Sequence, residues 1–112
     1  MAIIEIKSVE DFNTKVLGCE GVGIVDYWAE WCTPCMVMRP EVEEVAEKLA
    51  DKATFFSVNA ENKTLRKILL TQEVEGIPSM VFYREGKQLD RIAGYKKAEI
   101  LESLINEVIN QA

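Results

Sequence analysis

Two cysteines separated by two residues, Cys32 and Cys35, are the groups in this sequence best suited to chemistry. A thiolate attacks a disulfide sulfur to form a mixed disulfide, and a neighbouring thiol then resolves that intermediate. If a helix begins at this pair, its unsatisfied backbone N–H groups and its dipole favour the thiolate form of Cys32. Cys35 would follow one turn later and could close onto Cys32. The pair could therefore supply both steps of thiol–disulfide exchange.

Two other uses of such a cysteine pair stay open at this point. Cys-x-x-Cys supplies half of many zinc sites, but the chain has no histidine and only one further cysteine, Cys19. A four-ligand site would need Cys19 together with a carboxylate or a second chain. The pair could also be structural, yet Thr33 and Pro34 between the cysteines fit the opening turn of a helix better than a packed interior. We favour redox chemistry.

A lone acid, Asp26, lies upstream of the cysteines in the nearly continuous apolar stretch of residues 22–29. Such a stretch is typical of a central strand covered on both faces, so we expect the aspartate to be buried. Burial raises the pKa of a carboxyl group toward neutral pH, where the group becomes a useful base. From the residues alone, a hydrogen-bonded structural acid is an equally good interpretation of Asp26.

The composition of the chain limits its function classes. Its 112 residues, 48% of them hydrophobic, suit a single domain at residues 1–112 that can bury a core without disulfides or structural metals. A net charge of −6 argues against nucleic acid as the main partner, because phosphate contacts need clustered Lys and Arg. No stretch is long enough to span a bilayer.

The cysteine count and the first residues bear on the compartment. Three cysteines is an odd number, which disfavours the disulfide framework of a small secreted protein. Residues 1–7 contain an acid and no long apolar region, so they do not resemble a signal peptide. We therefore expect a cytoplasmic protein. An exported protein whose signal has been removed would have the same sequence, so that alternative stays open.

The period of the apolar residues changes repeatedly, which indicates alternating strands and helices. The predicted strands are residues 3–6, 22–29, 54–59, 80–84 and 88–93. Four helices are predicted. The first opens at a capping box at residues 8–11, the second runs from the cysteines to about residue 50 with a bend at Pro40, and the third lies around residues 65–69. The fourth has residues 100, 101, 104, 105, 108 and 109 on one face. The order β-α-β-α-β-α-β-β-α predicts an α/β fold with a mixed five-stranded sheet flanked by four helices.

The segment Trp28-Ala-Glu-Trp-Cys-Thr-Pro-Cys35 resembles the active-site segment of the thioredoxin family. The order of elements is similar to that family over essentially the whole chain. Asp26, Pro40, Gly76-Ile-Pro-Ser79 and Gly94 match further family motifs in the same order. The resemblance implies a thioredoxin fold and a protein-disulfide reductase. It also implies that no bound cofactor is needed, because the redox group is the Cys32–Cys35 disulfide.

The resemblance assigns roles to individual residues. It implies that Cys32 is the attacking thiolate, that Cys35 is the resolving thiol, and that Asp26 accepts the proton of Cys35. It implies a cis bond before Pro78, where base rates alone favour an ordinary trans turn, and an Ile77 backbone that pairs with an extended substrate segment. The expected substrate-binding residues are Trp31, Thr33, Pro34, Gly76, Ile77, Pro78 and Gly94, whereas Trp28 is expected to pack in the core.

The resemblance also implies partners. These are disulfide-containing client proteins and a thioredoxin reductase, with no nucleic-acid or membrane partner, and we expect a monomer. Two alternatives remain. One is a thioredoxin-like disulfide oxidant or isomerase in an exported compartment. The other is a binding module that uses the Ile77–Pro78 groove without turnover, although the presence of both cysteines counts against it.

Four positions carry further expectations. Thr33 replaces the usual Gly, and we predict that its hydroxyl stabilises a thiolate and makes the pair somewhat more oxidising. Met36 stands where a basic residue is common. Ser57 stands where a Lys often faces the buried acid, so we expect Asp26 to lack its usual ionic neighbour and to have a raised pKa. Cys19 is expected to be a small buried or idle thiol rather than a regulatory one.

Overall fold

A computed structural model describes residues 2–112, and in this part of the chain the predicted order of five strands and four helices is confirmed. The strands are β1 (Ile3–Glu5), β2 (Val22–Trp28), β3 (Thr54–Asn59), β4 (Ser79–Arg84) and β5 (Lys87–Ala93). The α-helices are α1 (Val9–Lys15), α2 (Thr33–Lys48), α3 (Arg66–Thr71) and α4 (Ala98–Gln111). A single 3-10 turn, Lys63–Leu65, leads directly into α3.

The five strands form one mixed sheet in the order β1-β3-β2-β4-β5. β3 is parallel to both β1 and β2, whereas β4 is antiparallel to β2 and to β5. All seven residues of β2 are buried, as its continuous apolar sequence predicts for a central strand. β2 therefore carries Asp26 through the middle of the sheet, between Ser57 of β3 and Met80 of β4.

Helices cover both faces of the sheet. α2 and α4 pack on one face and α1 and α3 on the other, each with its own buried apolar cluster. Successive side chains of a strand point to opposite faces, so Ile24 of β2 joins the α2/α4 cluster while Val25 and Tyr27 join the α1/α3 cluster. Asp26 shares the face of Ile24. Its carboxyl group therefore points toward the layer that contains α2.

Local sequence signals set the start of α1 and the β4–β5 turn. Ser8 Oγ accepts the Asp11 backbone N–H at 2.9 Å, so the predicted cap of α1 is confirmed. Glu85 and Gly86 form a two-residue turn with φ angles of 52° and 79°. Positive φ at both central residues is what a type I′ hairpin turn requires, and it matches the twist of the flanking strands.

Two details of the predicted helices differ from the structure. Ile100 was expected on the buried face of α4, but it is 46% exposed, so that prediction is wrong. Each residue turns an α-helix by about 100°, which carries Ile100 to the edge of the stripe centred on the fully buried Leu101 and Ile105. In α2, the helix continues on both sides of Pro40. The bend at Pro40 stays a prediction.

Within residues 2–112, no helix combines the length and the apolar character needed to cross a membrane.

Candidate active site

The cysteine pair lies at the amino end of α2, just after the central strand. Cys32 is the N-cap residue of this 16-residue helix, and its Sγ accepts the Cys35 backbone N–H at 3.3 Å. Thr33 and Pro34 occupy the first turn, where the missing N–H of proline breaks no helical hydrogen bond. Cys32 and Cys35 are joined by a disulfide with their Cα atoms 5.2 Å apart. The Cys35 N–H and the positive end of the helix dipole therefore both act on Cys32 Sγ.

The disulfide is embedded in a small apolar cluster of its own. The cluster contains Trp28, Ala29, Cys32 and Cys35, with Ile77 packed against it. Cys32 is 6% exposed and Cys35 is 2% exposed, so an approaching molecule reaches Cys32 more easily. Cys32 Sγ lies 3.8 Å from the Ile77 carbonyl oxygen. The sulfur carries no hydrogen while the disulfide is intact, so this approach is a packing contact and leaves that carbonyl open to other donors.

The loop before β4 forms the other wall of the site. The Ile77–Pro78 peptide bond is cis. The Pro78 carbonyl accepts the Gly94 N–H at 2.9 Å, which fixes this loop against the end of β5. Gly94 has a φ of +84°, a backbone conformation that side-chain-bearing residues rarely adopt. A Cβ added to Gly76 would meet no heavy atom within 4 Å, so the backbone beside the disulfide is open to a partner.

Two clefts flank the Ile77–Pro78 loop. One has a volume of about 720 Å³ and runs over Pro78 toward Arg91 and Gly94. The other has a volume of about 680 Å³ and runs from Trp31 over Ile77 to Leu70. Trp31 is 68% exposed and Leu70 is 79% exposed, which is unusual for large apolar side chains. The two clefts meet at Gly76 and Ile77, and five of the seven predicted substrate-binding residues line them: Trp31, Gly76, Ile77, Pro78 and Gly94. Thr33 and Pro34 lie in the first turn of α2 and line neither cleft.

Leu70 was missed by the sequence analysis. Residues 65, 68 and 69 were recognised as the apolar side of α3, and all of them pack against the α1/α3 cluster. Leu70 follows them directly but lies outside that stripe, because the next residue of a helix is turned by about 100°. An apolar residue in excess of the buried face was the signal that could have identified it.

Asp26 is buried in the central strand, with 5% of its area exposed. Burial disfavours the charged carboxylate and raises its pKa from 3.8 to about 7, while the Arg39 guanidinium acts in the opposite direction. The predicted rise of the Asp26 pKa is confirmed. The acid is therefore poised to exchange a proton near neutral pH.

The prediction that Asp26 lacks its usual ionic neighbour is confirmed, because the neutral Ser57 pairs with Asp26 across β2 and β3. The sequence analysis did not identify a different cation, Arg39 of α2, whose charge lowers the pKa of Asp26. The Arg39 guanidinium carbon lies 3.8 Å from the centroid of the Trp28 ring. Arg39 follows Cys35 by four residues, and residues at that spacing lie on the same helical face. This spacing was the signal that could have found the cation.

The end of β3 holds the loop that carries Trp31. The Ala60 N–H donates to the Trp28 carbonyl at 2.7 Å, and Glu61 Oε1 accepts the Glu30 N–H at 2.6 Å. Asn59 Oδ1 in turn accepts the Glu61 N–H at 2.9 Å. No function was assigned to these residues from the sequence. Their hydrogen bonds fix the backbone between β2 and the cysteine pair.

The third cysteine and metal binding complete the inventory of reactive groups. Cys19 is a partly buried free thiol that packs against the α1/α3 cluster, and its Sγ lies 3.4 Å from the Glu20 carbonyl oxygen. Among residues 2–112, no group of three or more His, Cys, Asp and Glu side chains is arranged to hold a metal ion. The cysteine pair itself is engaged in the disulfide.

Comparisons by family model, by sequence and by structure all identify the same protein family. The family model described as Thioredoxin matches residues 3–107. The chain is 32% identical over 105 residues to the thioredoxin of Chlamydia pneumoniae, a match that covers 94% of this chain and 98% of that protein. It is 37% identical over 89 residues to mitochondrial thioredoxin-2 of Schizosaccharomyces pombe, covering 80% of this chain and 64% of that protein. The crystal structure of Malassezia sympodialis thioredoxin (Mala s 13) superimposes with a TM-score of 0.84 at 26% identity, over 96% of this chain and 90% of that one.

Proposed function

The chain belongs to the thioredoxin family and is a thiol–disulfide oxidoreductase of the protein-disulfide reductase type, and we propose that Cys32 attacks the client disulfide and Cys35 resolves the product. The observation that carries this assignment is the position of Cys32 at the N-cap of α2, with its Sγ accepting the Cys35 N–H. A helix amino terminus stabilises a thiolate, and the thiolate is the nucleophile. The greater exposure of Cys32 supports the same order.

The two steps balance without a further reagent. The Cys32 thiolate forms a bond to one client sulfur, the client disulfide breaks, and the other client sulfur leaves as a thiolate. Cys35 then loses its proton and attacks Cys32 Sγ, which releases the second client sulfur. The client gains two electrons, and the chain is left with the Cys32–Cys35 disulfide.

Asp26 is the base that we assign to the second step. Resolution requires Cys35 to lose its proton inside a buried site, so a nearby group must accept it. Asp26 points toward the layer of α2, is nearly excluded from solvent and has a pKa raised by burial to about 7. A carboxyl group with that pKa is partly ionised at neutral pH and can take up a proton there.

Client segments dock, in this proposal, across the Ile77–Pro78 loop. An extended segment would pair with the Ile77 backbone, while its side chains occupy the two flanking clefts. Trp31, Thr33 and Pro34 border the client on the α2 side. Gly76 and Gly94 lack side chains, so they let the client backbone come close to the disulfide.

The proposal extends to the cofactor, the reductase, the compartment and the oligomeric state. The dithiol is the redox group, so the reaction needs no bound cofactor, and a thioredoxin reductase restores the dithiol after each cycle. We assign the protein to a reducing cytoplasm, where a dithiol donor remains reduced. We also propose that residues 1–112 act as one domain and as a monomer.

The order of attack is tested by exchanging one cysteine at a time for serine. Cys35→Ser should accumulate a mixed disulfide between Cys32 and a disulfide-containing client, because the resolving thiol is absent. Cys32→Ser, the matched control, should accumulate none. Mass spectrometry under non-reducing conditions identifies the linked cysteine. Equal trapping by both variants would contradict the order, and equal retention of the client under reducing conditions would favour a simple binding module.

A further inference from the structure

A cleft of about 270 Å³ opens beside the buried acid, on the side of the sheet covered by α2. Asp26 and Trp28 of β2, Ser57 of β3 and Arg39 of α2 contribute to its walls. The cleft therefore joins the proposed base to a cation on the helix that begins at the cysteine pair. None of the reaction steps described above uses this cation.

The position of Arg39 is fixed by an aromatic ring. Its guanidinium carbon lies 3.8 Å from the centroid of Trp28, a separation at which the face of an indole ring attracts a cation. Its Nη1 atom is buried and has no hydrogen-bond partner in residues 2–112. The Trp28 ring therefore holds the guanidinium at the wall of the cleft that Asp26 also lines.

Arg39 differs in charge from the other ionisable groups around Asp26. The other ionisable groups that line the cleft are the carboxyl groups Glu5 of β1 and Glu43 and Glu47 of α2. Burial has the largest effect on the pKa of Asp26, and the charge of Arg39 opposes that effect. The strand neighbours of Asp26, Ser57 and Met80, are neutral. Of the described residues that line the cleft, Arg39 is the one cation, and it alone favours a charged Asp26.

We propose that Arg39 is a positioning residue for the resolving step, holding a positive charge beside Asp26 so that the carboxylate is available to accept the proton of Cys35. This inference rests on the role of Asp26 given under the proposed function. Arg39 follows Cys35 by one helical turn, so α2 carries both the resolving thiol and the cation. The Trp28 ring holds the guanidinium in place and keeps its charge oriented toward the cleft.

Loss of the Arg39 charge should affect only the step in which Cys35 resolves the mixed disulfide. Without the cation, Asp26 would stay protonated to a higher pH, and fewer molecules would hold a carboxylate at neutral pH. Resolution by Cys35 would slow at neutral pH and recover as the pH rises. Attack by Cys32 depends on the helix terminus and would change little.

The first test is a carboxyl titration of Asp26 by NMR in the oxidised protein, where no active-site thiol titrates together with it. Arg39→Met retains an apolar stem over Trp28 and removes the charge. It should raise the Asp26 midpoint by at least about half a pH unit, a threefold change in proton affinity. Lys48→Met is the matched control, because Lys48 lies on the same helix but pairs with Glu44 and Glu102 at the surface. It should leave the midpoint unchanged.

Charge restoration separates the proposed role from a packing role. Arg39→Lys keeps a cation on the helix, and Ser57→Lys added to Arg39→Met returns one from β3, at the position paired with Asp26. Each should restore the midpoint at least in part. A loss of Trp28 packing would not be repaired by a charge on the opposite strand.

The reaction itself supplies the second readout. The rate at which Cys35 resolves a preformed mixed disulfide should fall at least about twofold at pH 7 in Arg39→Met and match the parent protein at high pH. An unshifted Asp26 midpoint, or a shifted midpoint with unchanged resolution at every pH, would overturn the proposal. Trapping by Cys35→Ser does not depend on Arg39, so it reports separately on the order of attack.

Discussion

Asp26 is subject to two opposed effects, because the burial that makes it a base near neutral pH also makes its charged form unfavourable for folding. Its pKa is raised from 3.8 to about 7 in the folded chain. The folded state therefore binds this proton more tightly than the unfolded state does. Stability from the protonated acid is fully present below about pH 4 and is lost as the pH rises through about 7.

Asp26→Asn should reveal the loss of folding stability that ionisation of Asp26 causes. Asparagine keeps the shape of the acid but stays neutral, so the variant should gain on the parent protein by up to about 4 kcal/mol in free energy of unfolding as the pH rises from 4 to 8. Urea denaturation at both pH values measures the gain. The same variant should resolve mixed disulfides more slowly. A stability difference that does not vary with pH would contradict the raised pKa.

Thr33 bears on the redox potential of the pair. It occupies the first turn of α2, beside Cys32, where its hydroxyl can stabilise a thiolate. Stabilising the reduced form makes a disulfide more oxidising. Thr33→Gly should therefore lower the reduction potential, measured against a defined thiol–disulfide buffer. An unchanged or higher potential would show that the hydroxyl has no such effect.

Single residues were predictable where a local pattern dictates their surroundings. Asp26 was expected to be buried because it interrupts a continuous apolar strand, and it is. Arg39 was not identified, because a cation on a mostly polar helix is usually solvated. Its role depends on an aromatic ring and an acid contributed by another element. The four-residue spacing from Cys35 indicates a shared helical face, but it does not predict the contact with Trp28 of β2.

At the scale of elements, α3 contributes both to the core and to the proposed client surface. Ile68 of α3 and Leu65 of the preceding 3-10 turn are buried in the α1/α3 cluster, whereas Leu70 lines a cleft with Trp31 and is 79% exposed. An exposed leucine beside a cleft contributes nothing to the buried core. Burial by a bound client would recover part of its apolar surface from water.

Leu70→Ser should therefore weaken client recognition without destabilising the fold. We expect kcat/KM for a protein disulfide to fall about three- to tenfold, which corresponds to the loss of roughly 1 kcal/mol of apolar contact. The free energy of unfolding should change by less than about 0.5 kcal/mol. Ile100→Ser on α4 is the matched control, because Ile100 is also exposed but lines neither cleft beside the disulfide. Equal losses in both variants would contradict a role for the groove.

Element boundaries were predictable where the sequence carries a start or stop signal. Ser8 marks the start of α1, and Glu85-Gly86 marks the turn between β4 and β5. The Ile100 prediction failed because apolar residues around α4 cover more of its circumference than the sheet can bury. Which residue is left outside depends on the packing of α4 against α2 and the sheet.

At the scale of the whole molecule, sheet topology assembles the site from segments distant in sequence. β2 and β4 are antiparallel neighbours, with Tyr27 paired to Ser79. The end of β2 and the start of β4 therefore lie at the same edge of the sheet. This places the Ile77–Pro78 loop beside the cysteine pair at the start of α2. The order of elements was predictable from periodicity, but this juxtaposition follows from strand order, which periodicity does not specify.

The fold and the family of the whole chain were predictable from the sequence. The order of elements predicted a mixed sheet flanked by helices, and separated motifs in the right order indicated the family; both predictions are confirmed. Motifs are short, and each alone is weak evidence. Their agreement along 112 residues is what indicated one fold.

The measurement that tests the account most directly is the equilibrium reduction potential of the Cys32–Cys35 pair. Fluorescence should follow the redox state in a thiol–disulfide buffer, because Trp28 packs in the same cluster as the disulfide. A dithiol that donates electrons to client disulfides should have a potential below that of the cytosolic glutathione pool, about −220 to −260 mV. A potential above that range would contradict the reductant and make an oxidant or isomerase the better description.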